Sequence, residues 1–175
     1  MDYKAQVEHI VSTARFGDLI EFNYPIGYAH WAVYERDGNV IHFAVADETK
    51  IQSTFRGCLQ SIFPVCGDLL LGETKIRRHM LAEINVPKGA QISVRNDCHT
   101  FTPSSDEDME WRIKALLDKE YTYKIFKFNC EHFATFIRYG KAVCNQIPGQ
   151  SKNVECVEAT EEFSYLVPKK DVCKE

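Results

Sequence analysis

Apolar and polar residues alternate along the chain in patterns that predict an α+β domain. Apolar side chains recur at helical spacing over residues 7–14, which predicts a short N-terminal helix. Residues 17–22 have the composition of a first strand. Further along, the pattern predicts strands over residues 29–35, 39–44, 75–84 and 90–95, a helix after Ser105, an extended segment over 121–128 and a helix over 130–139.

The last of these helices carries clear start and stop signals. Asn129 is a favourable N-cap residue, because its side chain can accept hydrogen bonds from the first backbone N–H groups of a helix. Gly140 ends the same helix, since glycine readily adopts the left-handed conformation that follows a helix. Cys130 is therefore predicted to lie in the first turn.

The turn between residues 29–35 and 39–44 decides where two histidines point. A two-residue turn would place His30 and His42 on opposite faces of the hairpin. A three-residue loop pairs Ala32 with His42 and puts both histidines on one face as diagonal neighbours. We expect the three-residue loop, a type I turn followed by a left-handed residue, because Gly38 suits the left-handed position.

Composition narrows the class of protein. The chain has 175 residues, of which 45% are hydrophobic and 26% charged, as expected of one soluble globular domain. The net charge of -4 gives no overall signal for nucleic acid. Seven cysteines, with no apolar leader at the N-terminus, predict a reducing, cytoplasmic location without a disulfide framework. No cysteine and histidine spacing is typical of zinc, and no segment is apolar over the roughly 20 residues that span a bilayer.

The position of Cys130 suits a nucleophile. The dipole and the N–H groups of a helix N-terminus favour a thiolate, and they can also stabilise the oxyanion of a tetrahedral intermediate. A single cysteine is more often a small buried apolar residue, so this position alone does not decide the matter.

His30 and His42 offer the base that such a thiol requires. In the expected register, His30 could take the thiol proton while His42 holds the ring of His30 through its other nitrogen. Two histidines in strands are, without further information, more often half-buried structural residues.

Several motifs resemble the signature of the lecithin:retinol acyltransferase-like superfamily. The resemblance covers roughly residues 17–146, and its motifs stand in the family's order, His, His, Cys. The matching residues are Gly17-Asp18-Leu19-Ile20-Glu21; His30-Trp31-Ala32-Val33-Tyr34, Asp37-Gly38 and His42; and Asn129-Cys130-Glu131-His132-Phe133 with Arg138-Tyr139-Gly140. The sequences around His30 and Arg138 look most like the phospholipase A and acyltransferase branch, the HRAS-like suppressors.

The resemblance implies a circularly permuted papain-like α+β fold, with an antiparallel sheet packed by the helix that carries the nucleophile. We expect this helix to pack on the face of the sheet that holds His30 and His42. It assigns Cys130 as nucleophile, His30 as base and His42 as third member, with no cofactor and no metal for the chemistry. The implied reaction moves acyl groups from glycerophospholipids to water, lysophospholipids or the amine of phosphatidylethanolamine.

Two other functions stay open. A retinol-esterifying acyltransferase is compatible with the stretch between His42 and Cys130, which is longer than in compact members, with the extra residues expected within 46–72. A regulatory protein that binds lipid without turnover is the other, although the intact set of Cys130, His30 and His42 argues against it.

We expect a catalytic domain over residues 1–148 and a charged, poorly ordered tail over 149–175, in which Phe163, Tyr165 and Leu166 are the side chains able to dock. Many family members end in an apolar anchor, which residues 167–175 do not resemble. We expect a monomer with no nucleic-acid partner. The phospholipid substrate implies peripheral, transient contact with the surface of intracellular membranes.

Overall fold

The computed structural model describes residues 2–45, 73–122 and 128–170. The strands form one antiparallel sheet in the order β5-β1-β2-β3-β4-β6. The strands are β1 (Leu19–Asn23), β2 (Ala29–Tyr34), β3 (Asn39–Val45), β4 (Glu73–Met80), β5 (Gln91–Val94) and β6 (Glu120–Thr122). The helices are α1 (Tyr3–Thr13), α2 (Asp106–Leu116), α3 (Cys130–Tyr139) and α4 (Val157–Leu166), with a 3-10 turn at Leu81–Glu83. The predicted α+β class and antiparallel sheet are confirmed, and the circular permutation stays a prediction.

The β2–β3 hairpin has the predicted register. Ala32 pairs with His42, and the backbone N–H of Glu35 donates to the carbonyl of Asn39 at 2.9 Å, which leaves residues 36–38 as a three-residue loop. The conformation of the loop differs from the expected type I turn. Asp37 and Gly38 both have positive φ, 52° and 80°. Positive φ at both central residues is characteristic of a type I′ turn. The register is the same, so both histidines do share a face.

Each face of the sheet carries its own core. On one face, side chains of β1, β2 and β3 such as Phe22, Ala32 and Val40 pack with α1. On the other face, Val33 and Phe43 pack with α2, α3 and α4. Side chains alternate between the faces of a strand, so odd-numbered residues of β2 and β3 point toward α3 and even-numbered residues point toward α1.

This alternation corrects one expectation about the site. We expected the helix of Cys130 to pack on the face that holds His30 and His42. The two histidines instead lie on the α1 face, where the ring of His30 is 5.4 Å from that of Phe22. The apolar side of α3 packs on the opposite face. Its side chains lie in the same core cluster as Trp31 and the other odd-numbered residues of β2 and β3. The first turn of α3 reaches β2 at Ala29, the residue before His30, and not across the face that holds the histidines.

Part of the expected tail packs against the main core. Helix α4 lies within residues 149–175, and Phe163 on this helix is fully buried. Its ring stacks on Phe128 and Phe136, with centroids 4.4 and 5.3 Å away. Tyr165 is 89% exposed. Residues 171–175, and the insertion expected within 46–72, lie outside the described residues.

Over the described part of the chain, no helix is both long and apolar enough to cross a bilayer.

Candidate active site

The first turn of α3 is held by a reciprocal cap. The Asn129 side chain accepts hydrogen bonds from the backbone N–H groups of Glu131 and His132, at 3.0 and 3.1 Å. In return, the backbone N–H of Asn129 donates to Nδ1 of His132 at 3.1 Å. Burial lowers the pKa of His132 to about 4, so the ring is neutral and able to accept this bond. The cap occupies two of the N–H groups that the sequence suggested for an oxyanion.

The thiol of Cys130 is buried where β2 begins. Its Sγ lies 3.2 Å from the hydroxyl oxygen of Tyr28 and 4.0 Å from the carbonyl oxygen of Ala29. Ala29 directly precedes His30 in the chain. The structure therefore brings the thiol to the backbone beside His30, and a hydroxyl stands within hydrogen-bond distance of the sulfur.

The two predicted histidines are in direct contact. Nε2 of His30 and Nδ1 of His42 lie 2.9 Å apart, and both side chains are buried. The ring planes meet at 75°, an edge-to-face arrangement. The contact joins the nitrogens that the expected orienting role of His42 requires.

A third histidine, which sequence reasoning missed, extends this pair. Nε2 of His42 lies 2.7 Å from Nδ1 of His79 on β4. In the ladder between β3 and β4, His42 pairs with Arg77 and Val40 pairs with His79. His79 therefore stands on the same face as His42. The register of β3 against β4 would have revealed this contact, but their connection is too long for a turn rule to fix that register.

The electrostatic surroundings keep His42 neutral. Its pKa lies well below the usual value, first because the ring is buried and then because His30, His79 and Arg77 surround it with positive or potentially positive charge. A neutral His42 carries one ring proton for its two hydrogen-bonded nitrogens.

A second buried network lies directly beside the thiol, around the carboxylate of Glu131. His99 Nε2 donates to it at 2.9 Å, and the backbone N–H of Asn145 donates at 3.1 Å. The Cys144 thiol and the Gln146 amide donate to its other oxygen at 3.2 and 3.1 Å. Burial, and then the Glu131 charge, raise the pKa of the Cys144 thiol, so this sulfur is a proton donor here. The network anchors the residue that follows Cys130.

Trp31 and several free cysteines lie around this site. Trp31 is a buried core residue, with its ring 5.3 Å from that of His99. Cys98, Cys130, Cys144 and Cys156 are free thiols. Within the described ranges, no three histidine, cysteine or acidic side chains converge as a metal-binding group.

Comparison with known proteins decides the family. The family model of lecithin retinol acyltransferase matches residues 12–143. This chain belongs to the lecithin retinol acyltransferase family. The matched range contains β1, the β2–β3 hairpin and α3, and so it includes Cys130 and both predicted histidines.

Individual relatives within the family carry one kind of name. The chain is 35% identical over 132 residues to human phospholipase A and acyltransferase 4, a match that covers 75% of this chain and 73% of the relative. It is 32% identical over 151 residues to human phospholipase A and acyltransferase 1, covering 86% of this chain and 83% of the relative. Human phospholipase A and acyltransferase 2 is 30% identical over 135 residues, covering 77% and 76%. The predicted resemblance to this branch is confirmed, and the relatives support an acyltransferase and phospholipase role.

Proposed function

We propose that this chain is a thiol-dependent phospholipase A and acyltransferase that works through an acyl-Cys130 intermediate. The observation that carries the proposal is the placement of Cys130. Cys130 lies at the N-terminus of α3, and its thiol is 4.0 Å from the carbonyl oxygen of Ala29. The residue after Ala29 is His30, which is hydrogen-bonded to His42. The names of the relatives point to the same activities.

In the first half of the proposed reaction, His30 takes the proton of the Cys130 thiol. The thiolate attacks the carbonyl carbon of a glycerophospholipid ester and forms a tetrahedral oxyanion. The oxyanion collapses, the bond to the glycerol oxygen breaks, and protonated His30 returns its proton to that oxygen. The products are a lysophospholipid and a thioester on Cys130.

In the second half, an acceptor attacks the thioester. Water gives a fatty acid, the hydroxyl of a lysophospholipid gives a new phospholipid, and the amine of phosphatidylethanolamine gives an N-acylated lipid. His30 takes the proton of the acceptor and returns it to the leaving sulfur. The N-terminal dipole of α3 and the Tyr28 hydroxyl, 3.2 Å from the sulfur, stabilise the thiolate that leaves.

The proposed substrate is a membrane lipid, so we propose that the protein binds a membrane surface peripherally and transiently. We also propose that it works as a monomer. The basic residues Lys75 and Arg77 on β4 are half-buried, while the neighbouring Arg78 forms a bidentate ion pair with Glu35 at 2.7 and 2.8 Å. Arg78 is therefore already neutralised within the protein.

The test is turnover of phosphatidylcholine vesicles, with and without phosphatidylethanolamine, followed by mass spectrometry of the lipids and of the intact protein. We expect free fatty acid, N-acylated lipid when the amine is present, and a protein species heavier by one acyl group. Cys130→Ala should lose all three products, and Cys98→Ala should keep them because the Cys98 sulfur is hydrogen-bonded to Arg95 at 3.0 Å and is not part of the proposed catalytic set.

Full turnover by Cys130→Ala would contradict the proposal. Acylation of retinol without any phospholipase product would support the retinol-esterifying alternative, and vesicle binding without turnover would support the lipid-binding one. The last two outcomes therefore each support one alternative function over the other two functions.

A further inference from the structure

Three histidines form a continuous row across three neighbouring strands. His30 lies on β2, His42 on β3 and His79 on β4, and the rings are joined at 2.9 and 2.7 Å between ring nitrogens. Successive ring centroids are 5.2 and 5.0 Å apart, with interplanar angles of 75° and 70°. His30 and His42 are buried, whereas His79 is half-buried. The row therefore runs from the buried site toward the protein surface.

The middle ring can be protonated in only two ways. Because His42 is neutral, one of its nitrogens carries a proton and donates, while the other accepts. In the first arrangement, Nε2–H of His42 donates to Nδ1 of His79, and Nδ1 of His42 accepts from Nε2–H of His30. In the second, Nδ1–H of His42 donates to His30, and Nε2 accepts from Nδ1–H of His79.

Only the first arrangement leaves His30 able to act as a base. A neutral His30 that donates through Nε2 has its lone pair on Nδ1, so that nitrogen can take a proton. A neutral His30 that accepts at Nε2 carries its proton on Nδ1 and cannot take another there. The direction of the bond between His42 and His79 thus sets the protonation state of a ring one strand farther away.

We propose that His79 is a positioning residue that accepts a hydrogen bond from His42 and thereby keeps His30 in the tautomer that removes a proton. This inference rests on the proposed function, since it assigns the base role to His30. It goes beyond the set of Cys130, His30 and His42, because that set gives the second nitrogen of His42 no role.

The row also offers a route for charge. When His30 becomes an imidazolium, a neutral His42 cannot stabilise it as the carboxylate of a Ser-His-Asp triad does. Transfer of Nε2–H from His30 to Nδ1 of His42, with transfer of Nε2–H from His42 to Nδ1 of His79, moves the positive charge to the half-buried ring. Water and the protein surface stabilise a charge there better than the buried site does. Both transfers use the two hydrogen bonds of the row and need no other reactant, and both reverse when His30 gives its Nδ1 proton to the leaving oxygen.

Substitutions at His79 can separate this role from a packing role. The substituted side chain can be chosen so that it only accepts hydrogen bonds or only donates them. His79→Glu places an acceptor beside Nε2 of His42 and should keep kcat/KM within a fewfold of wild type. His79→Leu removes the acceptor and should lower kcat/KM by about 10- to 100-fold, as loss of an orienting partner commonly does. His79→Lys offers only donors, which favours the wrong tautomer, and should be the worst, with a loss that approaches about 10⁴-fold. His9→Leu, on the exposed side of α1, is the matched control and should leave kcat/KM unchanged.

A second measurement reads the tautomer without turnover. Nitrogen-15 NMR of the histidine rings should show the His42 proton on Nε2 in wild type and in His79→Glu, and on Nδ1 in His79→Lys. Equal activity of the Leu, Lys and wild-type proteins, or a His42 proton on Nδ1 in wild type, would overturn the proposal. Retention of full turnover by Cys130→Ala would instead contradict the proposed function, so the two failures are distinguishable.

Discussion

The side-chain amide of Gln146 is hydrogen-bonded to both backbone groups of Ala29. The N–H of Ala29 donates to Oε1 of Gln146, and Nε2 of Gln146 donates to the carbonyl of Ala29, each at 2.9 Å. The same Nε2 also donates to Glu131 at 3.1 Å. One amide therefore ties the start of β2, directly before His30, to the residue directly after Cys130.

Gln146→Leu should weaken both catalysis and stability. The change removes the link that fixes the backbone between the thiol and His30, so we expect kcat to fall by about 10- to 100-fold, as for other orienting partners. Unpaired backbone groups at Ala29 should cost about 1–3 kcal/mol in the free energy of unfolding. Urea unfolding and phospholipid turnover measure the two effects. Gln150→Leu, at an exposed position, is the control, and an equal loss of activity in that variant would contradict the assignment.

A second prediction concerns the reactivity of the thiols. Cys130 should react with a stoichiometric alkylating agent near neutral pH faster than Cys98, whose pKa is raised chiefly by burial. Peptide mapping after a short reaction identifies the labelled residue. Cys156, which is partly exposed, is an internal reference, and His30→Ala should slow labelling of Cys130 without changing that of Cys156. First labelling of Cys98 or Cys156 would show that exposure, and not thiolate formation, controls reactivity here.

The two histidines of the proposed catalytic set should respond differently to substitution. His30→Ala removes the base and should lower turnover by about 10²–10⁴-fold, for both the formation and the release of acyl-Cys130. His42→Gln should be milder, because an amide oxygen can still accept the hydrogen bond from His30. Turnover and the intact mass of the acyl-enzyme measure both steps. A deeper loss in His42→Gln than in His30→Ala would mean that the two roles are reversed.

Local signals predicted most of what positions this site. Asn129 and Gly140 marked the ends of α3, and the register of the β2–β3 hairpin followed from its short loop. Both depend on residues that are neighbours in sequence. The sequence also supported the pairing of His30 with His42, because diagonal neighbours in a hairpin are fixed by that register.

What the sequence could not predict depends on contacts between distant segments. His79 joins His42 across 37 positions, and His99 meets Glu131 across 32, with no turn rule to relate them. The prediction of the face on which α3 packs was wrong. Periodicity shows that a strand has two faces, but it does not show which helix covers each face. The burial of Phe163 likewise arises from aromatic partners far from it in the chain.

The last prediction concerns pH and stability, and it rests on His132. The ring is buried and neutral, with a pKa of about 4 in the folded protein against an ordinary value of 6.5. Below pH 6.5, His132 therefore binds a proton in the unfolded chain but stays neutral in the folded chain. This difference lowers the free energy of unfolding as the pH falls from 6.5 toward 4. Above pH 6.5 both states are neutral, and below pH 4 both are charged, so the change is confined to that window. At pH 5 the loss should be about 2 kcal/mol relative to pH 7.5.

His132→Gln keeps an acceptor for the backbone N–H of Asn129 but cannot titrate, so its free energy of unfolding should fall less over this range than that of wild type. Urea unfolding at pH 7.5, 6 and 5 measures the difference. His9→Gln is the control, because His9 is exposed and its replacement leaves the buried histidine rings unchanged. Equal pH slopes for wild type and His132→Gln would show that folding does not change the protonation of His132 and would contradict the lowered pKa.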